Sequence, residues 1–230
     1  MMLSRRAFNW YLNYAWSFRR VRVLQFDLNG TIPDVARTRG LVVKVLDPPL
    51  VDKLLEFHDT ACAKEWHHLF DRTEVHARLR NGHFCYLGIQ EQRIIAFHWF
   101  SPNTVDSPEL GCRFGVNPLC VIDYNTYIHK PARGQNLSSA LRAAAFRDFA
   151  SKDCRRCYCY IRSDNTSALR SARKMAGTDC GTIYCGFLAG LRYAFLKTRS
   201  PDFRIVKRDP VFANYTRAFR RMIRRSPRGG

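Results

Sequence analysis

The residues best suited to chemistry lie in one run, Cys120 to Ser138, CVIDYNTYIHKPARGQNLS. Its second half sets Arg133 and Gly134 just ahead of a helix-forming stretch, LSSALRAAAFRDFASK. A strand that leads through such a turn into a helix presents backbone amides that have no intrahelical partner, at the positive end of the helix dipole. Arg133 adds fixed charge and Gly134 permits close backbone approach, so the turn fits a diphosphate. The first half reads as a strand on which period-two alternation puts Asp123, Asn125 and Tyr127 on one face. A carboxylate there is placed to take a proton from an incoming ammonium, which makes Asp123 the candidate general base. His98 and His129 are weaker candidates, because a lone His beside an apolar strand is more often structural.

Two other chemistries fail on residue type. The stretch FDLNGT, Phe26 to Thr31, has the look of a phosphatase nucleophile loop, but Asn29 stands where the general acid belongs. An amide has no titratable proton to give a leaving group. A strand closed by an Asn-Gly turn accounts for the same residues. Cys154, Cys157 and Cys159 have the spacing of a metal cluster, yet strand alternation sends Cys154 and Cys157 to opposite faces, so no metal is expected.

Around these residues the chain alternates between strand and helix patterns. LVVKVLD (41–47) reads as a strand, and Pro49 starts a helix through VDKLLEFHDTAC. A second helix is expected over 69–79. HFCYLGIQEQRIIAFHWF reads as a hairpin turning at Gln90 to Gln92. CRRCYCYIR is a strand, and TSALRSARKMAG a helix that Asn165 can cap and Gly177 can close in a left-handed conformation. GTIYCGFLAGLRYAFLK reads as a final pair of strands.

The 230 residues carry a net charge of +19, concentrated at the ends. Residues 1–40 hold seven Arg and two Asp, and residues 197–230 hold eleven Lys or Arg and two Asp, for +5 and +9. Composition alone leaves open nucleic acid, anionic lipid or an acidic cosubstrate as the partner. At the N-terminus, Phe8, Tyr11, Leu12, Ala15 and Trp16 have helical spacing among further aromatics and Arg, which suits an interfacial anchor or a helix packed on its own domain. Tyr215, Phe219, Met222 and Ile223 make a second basic amphipathic segment. Two such ends predict peripheral attachment to an anionic membrane, on the cytoplasmic face since no secretory signal is seen. The longest weakly charged run, TIYCGFLAGLRYAFL, is too short to span a bilayer. Nine cysteines, an odd number in a chain of this size, favour reduced thiols.

Over residues 41–196 the order of elements resembles the GNAT acyltransferase superfamily. The match rests on Ile128-His129-Lys130, on Arg133-Gly134-Gln135-Asn136-Leu137-Ser138, on Asn165, and on Lys174-Met175-Ala176-Gly177. The resemblance implies an α/β fold with a twisted, mostly antiparallel sheet flanked by helices, in a domain 41–196 between a basic arm (1–40) and a basic tail (197–230). It implies acyl-coenzyme A, or an acyl carrier protein, as donor, held by Tyr127, Ile128, His129, Arg133 to Ser138 and Asn165. Asn136 and Ser138 replace usual glycines; Asn tolerates positive φ and Ser is small. Ala172 falls where many members place a Tyr general acid, so Tyr160, Tyr184 or water must serve instead, and Tyr184 is taken as the candidate. The expected activity is transfer of an acyl group to an amine, on a lipid or lipid-linked acceptor. The alternatives are acetylation of a ribosomal or nucleic-acid-associated protein, or a non-catalytic binding module.

Overall fold

Strand β1 (Phe18–Asp27) is an interior strand of a large sheet, held on both edges by segments about 130 to 170 residues away. Its side chains divide cleanly: Val21 and Val23 enter one core and Leu24 and Phe26 the other, all nearly without exposure. Each such side chain stabilises by about 1.5–3 kcal/mol. β1 ends where Asp27 bends back to accept from the Asn29 amide at 3.0 Å, an Asx turn. The computed structural model describes residues 18–35, 40–62, 70–188 and 191–208. Both amphipathic segments expected at the ends, in 1–17 and 209–230, lie outside them.

The remaining elements follow in order. Strand β2 (Val42–Val45) leads through a 3₁₀ turn at Pro48–Leu50 into helix α1 (Val51–Phe57), which continues as a π turn over His58–Cys62. Helix α2 spans Arg72–Arg80, capped by the Asp71 side chain on the Glu74 amide; Leu69, its expected start, is outside the described residues. The hairpin is β3 (Phe84–Gln90) and β4 (Arg93–Ser101), turning at Glu91 and Gln92, both of positive φ. Then come β5 (Thr104–Ser107), β6 (Cys112–Val116), β7 (Cys120–Ile128), α3 (Leu137–Ala150), β8 (Arg156–Arg162), α4 (Thr166–Lys174), β9 (Thr178–Leu188), β10 (Leu191–Thr198) and β11 (Phe203–Arg208).

Eight strands form one sheet in the order β10-β9-β1-β8-β7-β4-β3-β2, antiparallel throughout except for the β7–β8 pair. Helices α3 and α4 cover one face through Leu137, Leu141, Phe146, Phe149, Leu169 and Ala172. On the other face lie α1, α2 and a small sheet, β11-β6-β5, whose Phe114 and Phe203 stack on each other at 5.2 Å.

The expected fold class is thus observed, with three differences. Because β1 lies inside the sheet, the folded unit includes residues 18–27, which the sequence pattern places in an arm before residue 41. The small sheet was not foreseen: β5 and β6 are four and five residues long, and β11 falls in the presumed tail. Gly177 does not supply the left-handed cap of α4; Ala176 does, at φ 60. Gly177 is instead a point of close approach, where a Cβ would meet the Phe26 ring at 2.7 Å.

A buried ion cluster ties these layers together. Arg142 of α3 donates through Nε to Asp123 of β7 at 2.8 Å, and His98 of β4 donates through Nε2 to the other carboxylate oxygen. Burial opposes the charge on Asp123, but Arg142 and then His98 outweigh it and hold the carboxyl at about 2. His98 itself is pushed down by burial and stays neutral, since Arg142 already balances Asp123. Beside the cluster, His83 meets the Tyr124 hydroxyl and is pushed down to about 4 by burial and by Arg78.

Two stability predictions follow from these groups. Arg142→Met strands the Asp123 carboxylate, so urea denaturation should show a loss of about 3–5 kcal/mol, and adding Asp123→Asn should recover part of it. A double variant no better than the single would reject the pairing. For pH, the unfolded chain binds more protons than the folded one between the ordinary histidine value of 6.5 and about 4. Stability should therefore fall as pH is lowered through that window, and His83→Gln should flatten the fall.

Candidate functional site

Strands β7 and β8 are paired only at their beginnings, from Cys120 with Arg156 to Asp123 with Cys159. Beyond that point β7 stays with β4 and β8 with β1, so Tyr124–Ile128 and Tyr160–Arg162 diverge and leave a cleft in the sheet. The divergence coincides with a bulge. Trp99 opposes Tyr124 and His98 opposes Thr126, which leaves Asn125 extra, at φ 47. A bulge bends its strand and sharpens the local twist.

The bulge also corrects a sequence expectation. Asp123, Asn125 and Tyr127 do not share a face: Asp123 turns to α3, while Tyr127 points to α1 and donates to the Ala61 carbonyl at 2.7 Å. Asp123 is 4% exposed with both oxygens engaged, so it is a structural anion and not a base open to the cleft. Tyr127, expected among the cofactor contacts, packs against Phe97 and Phe57 and reaches the site only as a ring 5.8 Å beneath the Arg133 guanidinium.

Backbone groups of β7 line the cleft. His129 donates its amide to Ile95 of β4 at 2.8 Å. Successive residues of a strand aim their amides at opposite edges, so the Ile128 N–H and C=O point toward the departed β8. Arg133 confirms the direction by donating through Nε to the Ile128 carbonyl at 3.1 Å. The His129 ring lies on the α1 side, 6.0 Å from Phe57, and not in the cleft.

The turn that follows is built for an anion. Lys130–Ala132 form one 3₁₀ turn, Gly134 takes φ 86 and Asn136 takes φ 57. Asn136 thus adopts the positive φ for which a glycine is usual. Gly134 is needed for its backbone angle alone, because no atom lies within 4 Å of where a Cβ would stand. The first helical bond of α3 runs from Ala140 to Asn136, which leaves the Leu137 and Ser138 amides ahead of it at the positive end of the dipole. Gln135 and Asn136 are exposed at the mouth of this cradle. Asn165 caps α4 by accepting from the Ala168 amide at 3.1 Å, and Ser139 and Ser171 join the two helices at 3.2 Å.

The tyrosines separate by position. Tyr160 is the first residue of β8 beyond the last pair with β7, so its backbone borders the cleft, while its ring packs on Phe114 of β6 at 4.8 Å. Its phenol is pushed well up by burial and then by Glu109, which keeps it protonated at neutral pH. Tyr184 stands on β9, two strands from β8 and so about 10 Å away, out of direct reach.

Sequence reasoning missed Arg78. Its guanidinium lies over Trp99, Tyr124 and Phe70 at 5.0–5.4 Å and pairs with Glu74 at 2.6 Å. With the Asn125 amide oxygen turned toward it, Arg78 donates to the bulge residue at 3.0 and 3.2 Å. The only signal in the sequence was the Glu74–Arg78 spacing of four. Among the described residues no group of His, Cys, Asp or Glu has a metal-binding arrangement, and no helix is long and apolar enough to cross a membrane.

The fold and the sequence have known relatives. A GCN5-related N-acetyltransferase from Sphaerobacter thermophilus superposes with a TM-score of 0.54 at 12% identity, over 90% of this chain and 58% of that one. A protein assigned to the GNAT family from Novosphingobium aromaticivorans gives 0.51 at 14%, over 73% of this chain and 63% of that one. The chain thus spans less than two thirds of either structure. No curated protein matches by sequence. The family model for acetyltransferases of the GNAT family matches residues 51–177, which include β7, the anion cradle, α3, β8 and α4. With more than half of its length matched, the chain belongs to the GNAT acetyltransferase family.

Proposed function

We propose that this protein transfers an acyl group from acyl-coenzyme A to an amine. The observation that carries the reading is the cleft between β7 and β8, with the Ile128 amide on its wall and the Arg133–Ser138 cradle at its mouth. The residues fit the cosubstrate: Arg133 and the amides of Gly134 to Ser138 would hold the diphosphate, Asn165 would border the chain that follows, and the thioester supplies the activated acyl carbon. The acceptor nitrogen attacks that carbon, the Ile128 N–H stabilises the oxygen as it gains charge, and the C–S bond breaks to release a thiol. Tyr160 is the nearer proton donor for the sulfur, in place of Tyr184. With Asp123 committed to Arg142 and His98, the amine's proton leaves through water. An acyl carrier protein would reach the same cleft by the same cradle. The lipid acceptor and membrane attachment expected from the chain ends rest on residues outside the described ones and form no part of this proposal.

The cradle is tested first. Arg133→Glu should sharply weaken calorimetric binding of coenzyme A while the urea midpoint stays near that of the parent, because the side chain is exposed. Unchanged affinity would sink the reading. For the chemistry, thiol release should be screened with acyl-coenzyme A against amines of several classes. With any acceptor so found, Tyr160→Phe should lower kcat by about 10²-fold or more and leave coenzyme A affinity intact. A kcat that does not move would return the role to solvent.

A further inference from the structure

One sheet face beyond the cleft is neither core nor part of the cradle. Arg20 of β1, Tyr184 of β9 and Phe195 of β10 lie directly across from one another, and Arg22, Thr182 and Lys197 form the next row. Their neighbours Val21, Val23, Ile183, Cys185 and Ala194 point the opposite way, into the core. Tyr193 belongs to the outer face as well. Phe195 is 57% exposed and Tyr193 36%, a costly arrangement for large rings on an edge strand.

Helix α4 stands on this same face, because its Leu169, Ala172 and Met175 share a core with Leu24 and Phe26. A helix is about 10 Å across with its side chains, so α4 forms a wall beside the ring rows and leaves them recessed. The wall is cationic. Arg170, Arg173 and Lys174 are exposed along it, and Arg173 reaches over to Asp179, which Arg22 also holds, at 2.9 Å. Asp179 is the only acid between Thr166 and Arg199, and the two arginines neutralise it. The trough opens at the cleft end of the sheet, where the Ser163 amide, just past β8, donates to the Arg20 carbonyl at 2.9 Å.

We propose that this trough binds single-stranded nucleic acid, with bases on the Tyr193 and Phe195 rings and phosphates on Arg20, Lys197 and the α4 cations. Every base has a face to stack, and the two rings stand two residues apart on β10, about 7 Å along the strand, with the cations on the same face. The recess argues for a strand over a bilayer. Rings that enter a membrane must stand proud by about 5–10 Å to pass the headgroups, and here α4 would hold a flat surface away from them. The inference is independent of the acyltransferase reading.

The test uses the full chain and a fluorescent oligouridine of about 20 nucleotides, longer than the usual 4–16 nucleotide site, followed by anisotropy. Tyr193→Ala with Phe195→Ala should weaken binding about 10- to 100-fold, and Arg20→Ala with Lys197→Ala should lower the salt slope by about 0.7 for each cation removed. Coenzyme A affinity should be unchanged in both, which separates loss of the trough from loss of the fold. A deoxy strand of matching sequence tells whether the 2′-hydroxyl is read. Binding that ignores the ring variant, or that falls only when Arg217, Arg220 and Arg221 are changed to Glu, overturns the proposal. So does the absence of oligonucleotide binding, and ring-dependent binding of anionic phosphatidylglycerol vesicles in its place would assign the face to a bilayer.

Discussion

The architecture depends on one buried carboxylate. Asp123 is the last residue of β7 to pair with β8, and there it is held from both sides, by Arg142 of α3 and by His98 of β4. Below this point the sheet is continuous; above it the two strands separate. A charge in the interior is costly unless paired, so strand, neighbouring strand and helix are fixed relative to one another at the foot of the cleft. The anion cradle stands one helical turn before Arg142 on the same helix, and the Ile128 amide lies five residues beyond Asp123 on β7. A single ion cluster thus sets the distance between the groups that would hold the diphosphate and those that would face the acyl carbon.

Arg78 acts on the opposite face. Its guanidinium sits among the rings of Phe70, Trp99 and Tyr124 and reaches Asn125, where the backbone has a positive φ that most side chains resist. Asn is among the residues that tolerate this conformation. The bulge is therefore supported by the residue type at the kink and by a fixed partner for its side chain. Two buried arginines, one on each face, hold the segment of β7 that bends.

The surface divides by chemistry in the same way as the interior. Around the cradle the groups are backbone amides and one arginine, suited to a compact anion. On the β1-β9-β10 face they are rings interleaved with separate cations, suited to an extended one. Both lie at the end of the sheet where β7 and β8 part, on either side of α4.

Local features follow from near neighbours along the chain. Ala-rich helix α3, with Leu137, Leu141, Ala145 and Phe149 at intervals of four, is buried as its pattern demands. The strand-turn-helix of the cradle, the left-handed Asn136 and the Asn165 cap depend on near neighbours, and each was legible from residue type. What depends on distant pairing was not. Short strands such as β5 and β6 carry too little periodicity to be read, and β1 joins the sheet only because β8 and β9, about 130 to 170 residues later, supply its edges. Strand alternation put Tyr127 on the face of Asp123, and tertiary structure reversed it: one extra residue at Asn125 changes the side on which every later side chain falls. Whether a carboxylate is a base or an anchor is decided by what packs against it, and Arg142 and His98 are brought to Asp123 only by the folded sheet.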